Sequence, residues 1–133
     1  MKCTAKLLLF VAAAWSLSCD DSTAPPQPTP GTLQLYLTTP YSNDVALLLH
    51  LTGPALTPPA ITAASGTQLY ARAATDGVNV AVFGTFDTGP LLSIRVPDLS
   101  RASAYRVSIV EVADANNALR ASVSGYSGQF IRN

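Results

Sequence analysis

The stretch Gln68-Leu69-Tyr70-Ala71-Arg72-Ala73-Ala74-Thr75-Asp76-Gly77-Val78-Asn79-Val80-Ala81-Val82-Phe83 decides the fold. Leu69, Ala71 and Ala73 alternate with Gln68, Tyr70 and Arg72, and Val78, Val80 and Val82 alternate with Asn79, Ala81 and Phe83. Successive side chains of a strand point to opposite faces, so each apolar series marks one buried face. The Asp76-Gly77 step between them reads as the turn of a β-hairpin.

On either side the same period of two recurs. Leu33, Leu35 and Leu37 alternate with Gln34, Tyr36 and Thr38. Val45, Leu47, Leu49 and Leu51 share one face of the next run, and Ala46, Leu48 and His50 make its other face apolar enough for a central strand. Leu92, Ile94 and Val96 face away from Leu91, Ser93 and Arg95. Tyr105, Val107 and Ile109 begin a further strand, whose register breaks at Val110 and Val112 and predicts a bulge near Val110. Leu119, Ala121 and Val123 predict another strand after the turn Asp114–Asn117, and Phe130 and Ile131 close the chain. Residues 60–64 add a short edge strand beside Pro58 and Pro59.

Eight or nine short strands follow, separated by Gly, Pro, Asn and Asp, with no connecting helix of ten residues. That pattern predicts an all-β fold: a single antiparallel β-sandwich over residues 32–133. Ser, Asp and Ala leave room for a short helix around 98–104 or 114–121. A domain of roughly 100 residues buries about 65% of its extended surface, enough to fold without disulfides.

Composition bounds the function. The chain has 133 residues, zero formal net charge, 12% charged residues, two cysteines and one histidine. Without a basic surplus there is no electrostatic reason to expect nucleic-acid binding. Two cysteines and one histidine do not by themselves make a zinc site, and no Asp-rich loop of calcium-binding spacing occurs, so neither metal nor cofactor is expected.

The amino terminus reads as an export address over residues 1–18. Lys2 and Lys6 form a positive end, and Leu7 to Trp15 is an uncharged apolar run of signal-peptide length. It falls short of the roughly 20 apolar residues that span a bilayer. Small residues then precede a cysteine in Ser16-Leu17-Ser18-Cys19. Residues 19–31, with four of the ten prolines, read as an extended polar tether. With residues 1–18 removed, six arginines face eight acids and Cys19 is the remaining thiol. Ordinary cleavage and secretion is the competing expectation, since Ser16 and Ser18 also suit a signal peptidase.

Ser18-Cys19 resembles a bacterial lipobox. In such lipoproteins the cysteine is lipidated and becomes the mature amino terminus, which implies a membrane-anchored protein of the bacterial cell envelope, in the inner or outer membrane. Ser16 departs from the pattern, where Leu is usual. Thr39-Pro40-Tyr41-Ser42-Asn43-Asp44-Val45-Ala46-Leu47-Leu48, Leu51-Thr52-Gly53-Pro54, Gly84, Gly89-Pro90-Leu91-Leu92 and Val96-Pro97-Asp98 are similar to the cohesin-like, immunoglobulin-like type of β-sandwich carried by some bacterial lipoproteins. The resemblance implies a non-enzymatic binding or structural module. It rests on turn and apolar positions, so no ligand-binding residue is carried over from it.

Motifs for chemistry are few. Phe86-Asp87-Thr88-Gly89 has the Asp-Thr-Gly of a dimeric aspartic protease, and a small envelope hydrolase using Asp87 is the alternative function. Pro90 stands where that family has Ala or Ser, and Asp-Thr-Gly also suits a plain β-turn. His50, alone among leucines, reads as a packing residue. Gly125-Tyr126-Ser127-Gly128-Gln129 lacks the final glycine of a nucleophile elbow. Tyr36, Tyr41, Tyr70, Tyr105 and Tyr126 remain as candidates for binding a protein or glycan, since a tyrosine offers both ring area and a hydroxyl.

Overall fold

The computed structural model describes residues 24–133. The signal segment 1–18, the lipidation candidate Cys19 and tether residues 20–23 lie outside the described residues.

Eight strands follow one another: β1 (Gly31–Thr38), β2 (Asp44–Thr52), β3 (Ile61–Ala63), β4 (Gln68–Ala74), β5 (Gly77–Phe86), β6 (Gly89–Val96), β7 (Arg106–Asp114) and β8 (Ser127–Arg132). They form two antiparallel sheets in the orders β3-β6-β1-β8 and β4-β5-β2-β7. The protein is an all-β sandwich. Its core is the alternation legible in the sequence: Leu33, Leu35, Leu37, Leu92, Ile94 and Val96 from one sheet, Leu47, Leu49, Leu51, Val78, Val80 and Val82 from the other. Burying each such side chain contributes about 1.5–3 kcal/mol.

The β4–β5 hairpin forms as expected, with Thr75 and Asp76 as its loop and Ala74 paired to Gly77. Gly77 serves packing here rather than turn geometry. It does not take a positive φ, and a Cβ there would run into the carbonyl oxygen of Leu51 on β2.

Three bulges adjust which residues face inward. On β7 the pairing passes from Ile109 to Glu111 and skips Val110, the break predicted there. On β6 it skips Leu91, so Leu91 and Leu92 are both buried, against the expected alternation. On β2 it skips Val45, which therefore turns off the core face, and Asp44 takes the inward position at 0% exposure.

The strand expected at Leu119, Ala121 and Val123 does not form. A single bridge pairs Leu119 with Ala113, and beyond it residues 120–126 make a loop. The Arg120 N–H donates to the Val112 carbonyl at 2.8 Å while its side chain turns inward, which breaks the alternation. Residues 114–121 are a turn and not a helix: Asp114 Oδ1 accepts from the N–H groups of Asn116 and Ala118, and Asn117 takes a left-handed φ of 61°. Residues Leu99–Ala104 do coil, as a 3₁₀ segment capped by Asp98, whose Oδ1 accepts from the Ser100 N–H at 3.0 Å.

The last tether residues are held against this segment. Leu99 N–H donates to the Thr29 carbonyl at 2.7 Å. The tether thus enters at the end of the sandwich that carries Gly31 and Leu99, opposite to the loops Thr39–Asn43 and Ala115–Gly125.

Candidate binding surface

The outward side of β4-β5-β2-β7 is unusually apolar for a solvent face. The strand register sets Tyr70 opposite Ala81, Ala81 opposite Leu48, and Phe83 opposite Ala46. Tyr70 and Phe83 meet edge to face with ring centroids 6.0 Å apart. Tyr70 is 64%, Phe83 44% and Leu119 65% exposed. A shallow cavity of about 140 Å³ lies among Ala46, Leu48, Ala81, Phe83 and Leu119, with Glu111, paired to Leu48, at its border. Strand alternation explains half of this face, because period two must send Tyr70, Ala81 and Phe83 outward once the valines go in. It does not explain why those outward positions are apolar.

Nearer the tether, the same face turns polar. Arg72 pairs with Asn79, Asn79 with His50, and His50 with Ser108. His50 Nδ1 lies 2.7 Å from Asn79 Oδ1. Its Nε2, shielded from solvent, sits 3.2 Å from Asp76 Oδ1 without hydrogen-bond geometry. Only Nδ1 is thus committed to a partner, while Nε2 has none among the described residues. Base activation of Ser108 would require one of the two nitrogens, and no hydrogen bond joins His50 to Ser108 among those described.

At the far end Asp44 gathers a polar cluster. Its Oδ1 accepts from Arg120 Nε at 2.9 Å and Nη2 at 2.8 Å, and its Oδ2 from the Tyr126 hydroxyl at 2.7 Å and the Thr39 hydroxyl at 3.0 Å. Arg120 also donates to Asn43 Oδ1 at 2.6 Å, lies 3.8 Å from Asp114 Oδ2, and stacks 3.9 Å above the ring of Tyr41. A carboxylate taken out of water needs such donors: Oδ1 has two from Arg120, and Oδ2 has the Tyr126 hydroxyl and a share of the Thr39 proton, which also reaches the Tyr41 carbonyl. Asp44 holds the Arg120 guanidinium even more firmly protonated than usual. Burial, then the bond to Asp44, pushes the Tyr126 hydroxyl above its ordinary value. Backbone N–H groups of Ala118 and Asn116 draw the Asp114 carboxyl below its own. The cluster ties β2 to the long β7–β8 loop, with the Asp44 carboxylate and the Nε and Nη2 groups of Arg120 bonded internally.

The five tyrosines do not share one face. Tyr70 belongs to the apolar face, and Tyr36, 39% exposed, lies on β1 in the other sheet. Tyr41 and Tyr126 come together beside Arg120 with centroids 6.2 Å apart, Tyr41 half exposed and Tyr126 buried. Tyr105 is buried, packs over Gly53 and donates to the Pro54 carbonyl at 2.7 Å; burial raises its hydroxyl pKa.

Asp87 stands exposed in the β5–β6 connection, while its neighbour Thr88 bonds the Thr39 backbone. A wider groove of about 350 Å³ opens between β7 and β8, lined by residues such as Ser103, Arg106, Ser108 and Gln129. Neither Asp87 nor His50 borders either cavity. Among the described residues, no three His, Cys, Asp or Glu side chains cluster to hold a metal ion.

Sequence reasoning missed Phe83, Leu48 and Leu119 as surface residues. The signal was present in the apolar second face of β2 and β5, which a central strand explains equally well. Comparison with family profiles, curated proteins and solved structures finds no match to this chain.

Proposed function

We propose that this protein is a non-enzymatic binding module of the bacterial cell envelope, anchored in the membrane through lipid on Cys19. It presents the outer face of β4-β5-β2-β7 to a protein partner. The observation that carries the reading is the Tyr70–Phe83 pair, exposed beside Leu48 and Leu119 on an apolar sheet face. Contiguous apolar surface of this kind is typical of interaction sites, and aromatic anchors dominate their energetics. An edge-to-face pair beside aliphatic side chains suits a protein surface better than a sugar ring, which stacks on a flat, isolated aromatic face. The lipobox-like Ser18-Cys19 and the proline-rich tether support the anchor.

Pull-down from envelope extract tests the face. The parent captures a defined protein that Phe83→Ser loses and Tyr36→Ser retains; capture of the same proteins by all three refutes the reading. Cys19→Ser tests the anchor. The variant moves to the soluble fraction with altered mobility, whereas one that still pellets with unchanged mobility refutes lipidation.

A further inference from the structure

We propose that β4 is a self-pairing edge: two copies of this chain align β4 with β4 antiparallel about Ala71, joining their β4-β5-β2-β7 sheets into one continuous sheet.

The four edge strands differ in how they are protected. β3 has three residues, which is too short to template a partner. β7 carries the Val110 bulge, and β8 carries Gly128, where a Cβ would press on Val107 of β7 at 2.7 Å. β7 and β8 also lie side by side and flank one groove. Bulges, short strands and covered edges are the usual means of preventing edge-to-edge association. β4 is neither short nor bulged, although the Pro58–Ala60 turn and β3 pack beside it much as β8 lies beside β7. Its seven residues contain neither Pro nor Gly and pair with β5 in unbroken register.

The hairpin fixes which of its backbone groups are free. A two-residue loop makes Ala74 and Gly77 a hydrogen-bonded pair, and such pairs alternate along an antiparallel ladder. Arg72, Tyr70 and Gln68 therefore bond β5, and the N–H and C=O groups of Ala73, Ala71 and Leu69 point to the open edge. Among the described residues, no hydrogen bond from a turn, loop or side chain reaches any of these three.

One register pairs all seven residues, and its dyad passes through Ala71. That register sets Tyr70 of each copy directly opposite Arg72 of the other, both on the outer face. Tyr70 is 64% exposed and Arg72 also faces solvent, so a guanidinium from each copy can lie over the other's ring. On the inner face Leu69 meets Ala73. The fit is self-complementary, as a two-fold interface requires. The occupant is thus a second copy of this chain.

The test uses the full chain with Cys3→Ser and Cys19→Ser, in sedimentation velocity across the micromolar range. The parent forms a concentration-dependent dimer. Ala71→Pro removes an N–H that points away from β5, so the hairpin ladder is spared and dimerisation weakens at least about tenfold. Tyr70→Cys with Arg72→Cys in the same background gives a covalent dimer on oxidation. Tyr70→Cys alone gives none, because the two copies of that position lie beyond disulfide reach. A parent that stays monomeric overturns the proposal, as does a dimer unchanged by Ala71→Pro in a chain of native circular dichroism. If Ala71→Pro unfolds, cross-linking decides: a double-cysteine chain that remains monomeric, or a single variant that links equally well, overturns it. Phe83→Ser, which breaks the outer face but not the edge, dimerises like the parent. Failure of this pairing is therefore distinct from failure of the partner reading above.

Discussion

Two regions of this sandwich invert the usual placement of residues, in opposite directions. Around Asp44 a charge is buried; around Tyr70 and Phe83 large apolar groups are exposed. The first inversion is resolved inside the molecule, since both carboxylate oxygens have their donors in Arg120, Tyr126 and Thr39. The second is not: among the described residues Tyr70 and Phe83 touch each other yet stay 64% and 44% exposed. The difference separates two kinds of exception. A satisfied buried charge is accounted for by the fold, whereas an uncovered apolar face calls for something outside it.

Four substitutions sharpen this contrast. Asp44→Ala should act hardest, because it strips the cluster of its common acceptor and leaves the Tyr126 hydroxyl buried without one. Breaking a buried, hydrogen-bonded ion pair costs about 3 kcal/mol or more, read as a lowered denaturation midpoint in urea. Unchanged stability would mean that the cluster is decorative.

Tyr126→Phe removes one hydrogen bond to a charged acceptor, about 1.5–3 kcal/mol near neutral pH. It also probes a pH dependence whose sign follows from the raised hydroxyl. The folded state prefers neutral Tyr126, so its contribution is complete below the ordinary tyrosine pKa of 10.0 and is lost as pH rises through the higher folded value. The parent should therefore lose stability in alkali, with a shallower decline in Tyr126→Phe. An identical slope in both would assign the alkaline loss to Tyr105, which burial raises in the same sense.

Phe83→Ser tests the opposite region. More than half of the ring is covered and it packs on Tyr70, so Phe83→Ser should lower stability by about 1–2 kcal/mol, less than Asp44→Ala, while partner capture is lost. A large destabilisation would place Phe83 with Asp44, as part of the fold itself.

The smallest effect is expected at Ala55. It follows Pro54 with φ of 54°, a left-handed position that glycine occupies more easily in such turns. Relief of up to about 1 kcal/mol is offset in part by glycine's greater freedom when unfolded, so Ala55→Gly should raise the melting temperature slightly.

The sandwich is legible in the sequence because its core is built by alternation. Leu33-Leu35-Leu37 and Val78-Val80-Val82 each announce a buried face, and both are buried. The bulge at Val110 is legible for the same reason, since an extra residue shifts a visible period. The Asp44 cluster is not. Asp44 stands out in the sequence only within the stretch similar to a known sandwich type, and its partner Arg120 lies 76 residues away in a stretch whose Leu119-Ala121-Val123 spacing imitates a strand. Long-range pairing of polar groups leaves no period to detect. The apolar face is half legible: Leu48, Ala81 and Phe83 show that both sides of β2 and β5 are apolar, but alternation alone does not say which side meets water.

The bond from Leu99 to Thr29 would set the reach of a chain anchored, as proposed, through Cys19. It places a fixed contact at Thr29, ten residues from Cys19, a span of roughly 31 Å for a chain in polyproline form. With the anchor proposed for Cys19, a link of that reach would keep the sandwich close to the lipid surface. Such a geometry favours encounters with neighbours held in the same membrane. Two-dimensional confinement would then raise the local concentration of any partner, or of a second copy, far above its value in free solution.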